Sequence, residues 1–376
     1  MTTKKTNMPI QRGLTLKLNG NLQSLWFELP SYCTLACSYC YADGGKPERP
    51  KDLLTLDDYT RILQEAKEIG VISPGIPGAG EPFEKRNKNL TMKVLERCVD
   101  LGFYTTLFTT GEFITEELAD KLIEMPVELM IKCNSLNPDI QNAFVSDPKR
   151  NRIITHYGQR RNEVLEMLMR KGFNRPMRYN ESERESRLAI VTSIMTNSSG
   201  ALTNYKEMPD LLRFARRNNL IFDVDSVLER GRGATCGLST KDKELKECFS
   251  LLQRIDKEEF GREIKIGQSY YGTICDRFAH HLYINQYGEI RPCIGAMGVN
   301  LGNIKTNTLA EAWERPEMQM IKSRNYKGKC GDECANFSDG ECNSCLGRRT
   351  ENLTNEFLLE KDYVPTIGCW NHRPKQ

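Results

Sequence analysis

The sequence has 376 residues, which is enough for one large α/β domain with a smaller appendage or for two domains of ordinary size. Its hydrophobic fraction of 39% and charged fraction of 27% are typical of a soluble globular protein, and a formal net charge of +3 is too small to indicate a nucleic-acid-binding protein. No apolar run is long enough to span a membrane and residues 1–20 lack a signal-peptide pattern, so we expect a cytoplasmic protein without membrane contact.

The first two-thirds of the chain alternates short apolar runs with helical patterns. The apolar runs predict six strands, at Leu25–Leu29, Val71–Ile76, Tyr104–Phe108, Leu129–Cys133, Leu188–Ile194 and Ile221–Val224. The helical patterns lie between them, at Thr55–Gly70, Leu90–Gly102, Glu116–Glu124 and Asn162–Gly172. Repeated strand–helix units imply parallel strands covered by helices, so we expect an α/β fold with a partial (β/α)6 TIM-like barrel. Functional residues of such barrels gather at the carboxyl ends of the strands.

Two segments depart from this alternation. Lys149–Arg187 is rich in Arg and Glu, which predicts either a solvated surface connection or a lid over the active site. From about Gly267 the alternation stops and Gly and Cys become frequent, which predicts a small domain that needs bound metal to fold. We therefore divide the chain into a lead-in at 1–24, a barrel at 25–266 with a polar insertion at 149–187, and a Cys-rich domain at 267–376.

Fourteen cysteines need an explanation, because disulfides are rare in reducing compartments. Three of them, Cys33, Cys37 and Cys40, follow the first predicted strand with the spacing C-x3-C-x2-C. Three thiolates on one tight loop can hold three irons of a cubane cluster and leave the fourth iron open. Structural zinc, the alternative, takes four protein ligands, and the next histidine along the chain is the distant His156.

This motif, with the aromatic Tyr39 before its last cysteine, resembles that of the radical S-adenosylmethionine (SAM) superfamily. The resemblance implies that the amino and carboxylate groups of SAM chelate the open iron of a [4Fe–4S] cluster. An electron from the cluster then cleaves SAM reductively to a 5′-deoxyadenosyl radical, which removes hydrogen from a substrate carbon. It also implies that the protein is oxygen-sensitive, because the open iron lacks a protecting thiolate, and that it needs a reducing partner such as flavodoxin or ferredoxin.

Further residues resemble cofactor contacts of the same family. Gly78, Gly80 and Glu81 lie in Pro77–Pro82, after the second predicted strand, and this segment is similar to the family's glycine–glutamate–proline motif. The resemblance implies that this backbone and Glu81 accept hydrogen bonds from the methionine ammonium group. It places ribose contacts at the ends of strands four and five, where this chain has Asn134, Ser135 and Ser193. Alternatively, Ser135 and Asn137 form a turn and cap a helix.

The C-terminal cysteines resemble a SPASM extension, a small Cys-rich iron–sulfur domain with two auxiliary [4Fe–4S] clusters, which would bring the total to three. The spacing C-x12-G-x4-C from Cys275 to Cys293 fits the extension, whereas the central spacing departs from the commonest C-x2-C-x5-C-x3-C. The resemblance implies one cluster on Cys275, Cys293 and Cys345, and a second on Cys330, Cys334, Cys342 and Cys369. The first has either an open iron or His281 as its fourth ligand. Two structural zinc sites are the alternative.

Auxiliary clusters suit an oxidation, because they can accept the second electron. The proton released would need a base at a strand end, for which Asp225 and Glu229 are candidates, with Asp223 less favoured if it points outward. Only about 24 residues precede the first strand, too few for a separate peptide-recognition domain. We therefore expect oxidation or dehydration of a small polar metabolite of the sugar or aminocyclitol type.

Three other functions stay open. Relatives with SPASM extensions often modify ribosomally synthesised peptides by crosslinking, epimerisation or residue oxidation. A non-catalytic iron–sulfur electron carrier would explain the clusters but not Pro77–Pro82 after strand two. A nucleic-acid-modifying enzyme is supported only by the arginines of Lys149–Arg187, and we do not expect it because glutamates are interspersed among them.

Overall fold

The structure is a computed structural model. It describes residues 21–147, 151–179, 182–195, 203–228, 230–234, 242–264, 277–324, 327, 329–339, 353–359 and 373–375. None of the helices in these ranges combines the length and the apolar character needed to cross a lipid bilayer.

The strands of the described residues are β1 (Ser24–Phe27), β2 (Ser73–Ile76), β3 (Thr105–Thr109), β4 (Val127–Lys132), β5 (Met177–Tyr179), β6 (Ser182–Arg184), β7 (Leu188–Ile194), β8 (Ile221–Ser226), β9 (His281–Ile284) and β10 (Ile290–Arg291). The helices are α1 (Leu56–Glu68), α2 (Lys88–Asp100), α3 (Glu116–Ile123), α4 (Pro138–Phe144), α5 (Tyr157–Arg170), α6 (Met208–Arg217), α7 (Asp242–Phe260), α8 (Leu309–Trp313), α9 (Pro316–Ser323), α10 (Lys329–Glu333), α11 (Ala335–Ser338) and α12 (Asn355–Leu359).

One curved sheet organises the molecule, with the strand order β10-β9-β1-β2-β3-β4-β7-β8. The six strands from β1 to β8 in this order run parallel, which confirms the predicted partial barrel. Helix boundaries also follow local signals. Thr55 and Asp58 form a reciprocal capping box at the start of α1, and Gly70 ends the helix with a φ of +92°.

The outer face of the sheet packs against the helices and the inner face lines the barrel. In β8, Phe222 and Val224 belong to the core beneath the helices, so Asp223 and Asp225 alternate onto the inner face. The suggestion that Asp223 could point outward is therefore wrong, because its core neighbours occupy the outer face. Both carboxylates lie on the same side as Lys132 at the carboxyl end of β4, and they partly oppose the lowering of its pKa by burial.

The described residues of the polar insertion include a helix and a hairpin with different roles. Helix α5 is an ordinary outer helix of the barrel. Ile154, before it, packs against the same small core of Leu35, Val145 and Tyr157 that Cys33 and Cys37 contact. The hairpin β5–β6 lies at the amino ends of β3 and β4. There the buried Arg184 lies 3.7 Å from Glu128 and 4.1 Å from the ring centroid of Tyr104. The cysteine loop is at the opposite ends of the strands, so this hairpin does not act as a lid over it.

The region after residue 277 joins the barrel's own sheet and core. Strand β9 pairs in parallel with β1 from Ser24↔His281 to Phe27↔Ile284, and β10 returns antiparallel to it. Leu282, Ile284 and Trp313 are buried in the same core cluster as the barrel helices. The predicted domain boundary near Gly267 lies outside the described residues, and the C-terminal part described here shares its apolar core with the barrel.

Candidate functional site

The cysteine loop lies at the carboxyl end of β1. Cys33, Cys37 and Cys40 are half-buried, and the loop is held to the end of α4 by hydrogen bonds from the Ala36 and Ser38 amides to the Val145 and Phe144 carbonyls. The Gly44 amide donates to the Sγ of Cys40 at 3.2 Å. The local backbone therefore presents three thiols on one tight turn.

A short arginine–glycine turn, residues 230–233, clamps this loop from the end of β8. Arg232 donates from Nε to the Cys37 carbonyl at 2.8 Å and from Nη1 to the Gly44 carbonyl at 3.1 Å. Gly231 has a φ of +54°, and a Cβ there would lie 2.5 Å from the Tyr41 carbonyl oxygen. Only glycine permits this approach. The sequence analysis missed this turn, although two glycines alternating with two arginines after a strand are a visible signal.

The three thiols fit a cluster better than a single ion. No three His, Cys, Asp or Glu side chains in the described ranges converge on a single-ion site. In a cubane each thiolate binds a different iron, so the thiols stand farther apart than around tetrahedral zinc. A Cβ on Gly44 would lie 2.9 Å from the Ala79 carbonyl oxygen and 3.7 Å from the Cys40 sulfur. Glycine thus keeps room beside the thiols, and the residues fit an iron–sulfur cluster.

Burial makes these thiols reluctant to ionise on their own. It raises the pKa of Cys37 to about 11, with the neighbouring Cys40 adding to the effect, and it raises the pKa of Cys33 as well. A bound iron cluster supplies the positive charge that holds thiolates deprotonated.

The glycine-rich loop after β2 packs directly on the cysteine loop. A Cβ on Gly80 would lie 2.4 Å from the Tyr32 carbonyl oxygen, and the Glu81 amide donates to the same oxygen at 2.8 Å. The buried Glu81 carboxylate accepts hydrogen bonds from the Thr109 hydroxyl at 2.6 Å and the Thr110 amide at 2.7 Å. Glu81 therefore ties this loop to the end of β3, and its predicted bond to a methionine ammonium group stays a prediction.

Glu28, which the sequence analysis missed, is fully buried between three elements of the site. Its carboxylate accepts hydrogen bonds from the Tyr41 hydroxyl at 2.6 Å, the Tyr283 hydroxyl at 3.1 Å and the Ala79 amide. Burial raises its pKa to about 7, against the opposing effect of these donors. Glu28 thus joins the cysteine loop, the glycine-rich loop and β9 at one point.

Asn134 and Ser135 are completely buried and hydrogen-bonded within the fold. The Asn134 Oδ1 accepts from the Ser193 amide at 2.9 Å, and the Ser135 hydroxyl donates to Glu207. Asn137 caps α4, as its alternative interpretation predicted. The ribose contacts predicted for Asn134 and Ser135 stay predictions.

Lys132 is a further inner-face residue that the sequence analysis missed. Its Nζ donates to the Ser193 hydroxyl at 2.8 Å and lies 5.0 Å from the ring centroid of Tyr39. Burial lowers its pKa to about 8, while the charges of Cys37 and Asp225 oppose that effect. Tyr39 itself is buried against Phe144 and other apolar side chains. The inner wall beside the cysteine loop therefore carries one cation, two carboxylates and a hydroxyl.

Only part of the predicted auxiliary ligand set lies within the described residues. Cys293 is half-buried after β10, in the neighbourhood of Tyr283 and Arg230. Cys334 is buried at a bridge to Pro374. Cys330 falls in α10, where the backbone alone is described. The remaining predicted ligands, and one of the two candidate bases, lie outside the described residues: Cys275, Cys342, Cys345, Cys369 and Glu229.

His281 lies at the start of β9, beside the first strand. Its Nδ1 is 3.0 Å from the Ser24 hydroxyl, and its ring meets that of Trp26 edge to face at 5.5 Å. Ligation of an auxiliary cluster by His281 stays a prediction.

Two family models match the chain. Residues 27–182 match the radical SAM superfamily, and residues 275–346 match an iron–sulfur cluster-binding domain, SPASM. PqqA peptide cyclase of Granulibacter bethesdensis is 28% identical over 116 residues, which is 31% of this chain and 29% of that protein. PqqA peptide cyclase of Methylocella silvestris is 33% identical over 97 residues, 26% of this chain and 25% of that protein. The aligned segment thus spans little more than a quarter of these relatives.

Solved structures share the fold over most of the chain. SuiB of Streptococcus suis bound to SAM aligns with a TM-score of 0.64 at 18% identity, covering 93% of this chain and 78% of that one. SuiB bound to its precursor peptide SuiA aligns with a TM-score of 0.62 at 20% identity, covering 94% and 76%. Native anSMEcpe with bound SAM aligns with a TM-score of 0.57 at 14% identity, covering 88% and 92%.

These comparisons correct the expected substrate and identify the two regions of the chain that match family models. The expectation of a sugar or aminocyclitol substrate is wrong, because the curated relatives are named as peptide cyclases rather than as enzymes of small metabolites. The short segment before the first strand was a poor guide to the substrate. The two family models match in the expected order, a radical S-adenosylmethionine superfamily region at residues 27–182 followed by a SPASM iron–sulfur cluster-binding region at residues 275–346.

Proposed function

We propose that this enzyme modifies a ribosomally synthesised peptide, with an intramolecular crosslink as the leading reaction. The observation that carries this is the match of a segment of about 100 residues of this chain to peptide cyclases at 28–33% identity. The inner wall of the barrel supports it, because charged and polar groups are available there to orient a substrate backbone and accept a proton.

The bound cluster and SAM would supply a 5′-deoxyadenosyl radical, and auxiliary clusters a one-electron acceptor. Cys33, Cys37 and Cys40 would hold the first cluster. Gly78, Gly80 and Glu81 would shape the site for the methionine part, with Tyr39 and Ser193 beside the adenosine. We propose two auxiliary clusters on the seven C-terminal cysteines, with His281 as a candidate ligand, and electron delivery by flavodoxin or ferredoxin.

Asp225 is the proposed proton acceptor. Closing a crosslink removes two hydrogens from the peptide, one as an atom and one as a proton. The proton needs a base on the inner face of the barrel, where Asp225 and Asp223 lie at the end of β8. The other candidate, Glu229, follows the same strand.

The first experiment is anaerobic reconstitution with iron and sulfide, followed by incubation with dithionite and SAM. We expect 5′-deoxyadenosine from the wild type and none from Cys37→Ala, which should keep its auxiliary iron. Cys98→Ala is the matched control, because Cys98 is buried in the core of α2 away from the site. Wild-type deoxyadenosine formation by Cys37→Ala would contradict the cluster assignment, and absence of the product from the wild type would indicate an electron carrier.

The peptide assignment is tested by co-expression with short open reading frames from the neighbourhood of its gene. We expect one peptide to lose two hydrogens and to resist fragmentation between the linked residues in mass spectrometry. An unchanged mass with an inverted residue would replace crosslinking by epimerisation. If no peptide is modified while deoxyadenosine forms with a small metabolite, the peptide assignment is wrong.

A further inference from the structure

Arg232 stands out among charged groups because it holds the cysteine loop at two separate points. Its guanidinium donates to the Cys37 carbonyl at 2.8 Å and to the Gly44 carbonyl at 3.1 Å. Cys37 is the middle ligand of the motif, and Gly44 donates in turn to the Cys40 sulfur. One planar cation thus spans both sides of the loop, a geometry that a lysine cannot reproduce.

The backbone around Arg232 fixes this geometry. The Gly233 amide donates to the Cys40 carbonyl at 3.4 Å, and Gly231 fits against the carbonyls of Cys40 and Tyr41. Gly233 is buried, and a Cβ there would lie 2.4 Å from the Leu228 carbonyl oxygen. The guanidinium is therefore delivered by a rigid turn rather than by a free surface side chain.

The charge of Arg232 acts on the ligand it touches. Its Nε lies 2.8 Å from the Cys37 carbonyl oxygen, so a fixed positive charge sits beside the backbone of a proposed cluster ligand. Adding an electron to a cluster adds negative charge to the same place. A fixed positive charge nearby stabilises the reduced form and raises the reduction potential.

We propose that Arg232 sets the reduction potential of the N-terminal cluster through its fixed charge, in addition to positioning the cysteine loop. This rests on ligation of that cluster by Cys33, Cys37 and Cys40. Nothing in the spacing of the cysteines indicates such a residue, because Arg232 follows Cys37 by 195 positions.

Arg230 in the same turn provides a matched control. It lies toward Cys293 and Arg291, the side of the first auxiliary ligand set. Arg230→Gln removes one positive charge from the same turn, two residues before Arg232. It leaves both hydrogen bonds from Arg232 to the cysteine loop in place.

The test measures the midpoint potential of the N-terminal cluster in the anaerobic holoenzyme. The cluster is monitored by electron paramagnetic resonance and identified as the one whose signal changes when SAM is added. For Arg232→Gln we expect about tenfold less reduced cluster at a fixed solution potential, a shift of about 59 mV for a one-electron couple. Arg232→Lys should stay near the wild-type potential because it keeps the charge, and Arg230→Gln should leave this signal unchanged.

Equal shifts in Arg232→Lys and Arg232→Gln, or no shift in Arg232→Gln at wild-type iron content, would overturn the proposal. If Arg232→Gln fails to retain its cluster, Arg232→Lys decides alone: a tenfold loss of reduced cluster in that variant contradicts a charge effect. A wild type without any SAM-responsive signal would instead overturn the cluster assignment itself, which separates the two failures.

Discussion

Glu28 is a carboxylate placed where water does not reach it. Four groups with N–H or O–H donors surround its oxygens, namely Tyr41, Tyr283 and the amides of Gly78 and Ala79. These donors come from the cysteine loop, from β9 and from the glycine-rich loop. Since buried carboxylates normally need such compensation, the site depends on all three elements being present together.

The raised pKa of Glu28 gives the folded protein a defined pH dependence. The folded state keeps a proton between pH 4.5 and about 7, whereas the unfolded chain releases it. Stability from this group is therefore greatest below pH 4.5 and falls as the pH rises to about 7. The facing groups Tyr41, Tyr59 and Tyr283 stay neutral there, because burial raises their pKa values.

We expect Glu28→Gln to lose this pH dependence. Between pH 4.5 and about 7, the free energy of unfolding of the wild type should fall by up to about 3 kcal/mol more than that of the variant. The measurement is denaturant unfolding of the anaerobic holoprotein from pH 4.5 to 7.5. Glu68→Gln on the exposed face of α1 is the matched control and should behave as the wild type. Parallel pH curves for the wild type and Glu28→Gln would show that Glu28 is already ionised throughout.

A second residue-scale prediction concerns Asp225. If it accepts the substrate proton, Asp225→Asn should still cleave SAM but form crosslinked peptide at least ten times more slowly, since general bases contribute about 10² to 10⁴ in rate. The measurement is the ratio of peptide product to deoxyadenosine. Asp223→Asn, on the same inner face, is the paired variant. A wild-type ratio in Asp225→Asn would remove it from the chemistry.

At this scale the sequence predicted what is local. Three cysteines within eight positions predict a cluster, because their spacing alone brings the thiols together. Glu28 and Arg232 escaped prediction because their partners are remote: Tyr283 follows Glu28 by 255 positions, and Arg232 follows Cys37 by 195. A single sequence carries no signal for such pairs until the fold joins them.

Among the elements, the hairpin β5–β6 is the one whose role differs from expectation. Its charged sequence indicated contact with water, yet Arg184 is 3% exposed and its partner Glu128 is 1% exposed. An ion pair of this kind is costly to break, because the remaining charge stays buried. The hairpin therefore has a structural role at the amino ends of β3 and β4.

We expect Arg184→Met to destabilise the protein by about 3 to 5 kcal/mol, and the double variant with Glu128→Met to recover part of that loss. Thermal unfolding under anaerobic conditions measures both. Arg178→Met, exposed on the same hairpin, is the control and should be near neutral. The folded fraction of Arg184→Met should cleave SAM at the wild-type rate, and a specific loss of activity there would restore the lid interpretation.

The predicted elements were those with a strong apolar pattern. Each of the six predicted barrel strands lies within a few residues of its observed position, and capping residues located the starts of α1 and α3. The β5–β6 hairpin was missed because its stability comes from a buried ion pair and ring contacts, which have no periodic signature.

At the scale of the whole molecule, the C-terminal region completes the barrel as well as supplying cysteines. Strand β9 covers the free edge of β1, and residues from 282 to 321 add to the barrel's core. An uncovered edge beside apolar surface promotes association between chains. The described C-terminal residues therefore share a sheet and an apolar core with the barrel, although the two predicted groups of cysteines are separate in sequence.

We expect a chain that ends at residue 264 to aggregate, rather than to persist as a soluble barrel with one cluster. Size-exclusion chromatography with iron analysis distinguishes these outcomes. Cys293→Ala is the control, because it removes a proposed auxiliary ligand but leaves β9 in place, and it should remain soluble. A monomeric truncated chain with one cluster's share of iron would show that the barrel is independent of its C-terminal strands.

The pairing of β9 with β1 also fixes an order of events during synthesis. Strand β1 leads straight into the first cysteines, yet its second neighbour begins 257 positions later. On the ribosome the strand that anchors the first metal ligands stays half-paired until nearly three-quarters of the chain has emerged. Before that point, the cysteine loop follows a strand that still lacks its β9 neighbour. We therefore expect loading of the first site to follow translation, so that iron and sulfide supplied after synthesis set the yield of complete enzyme.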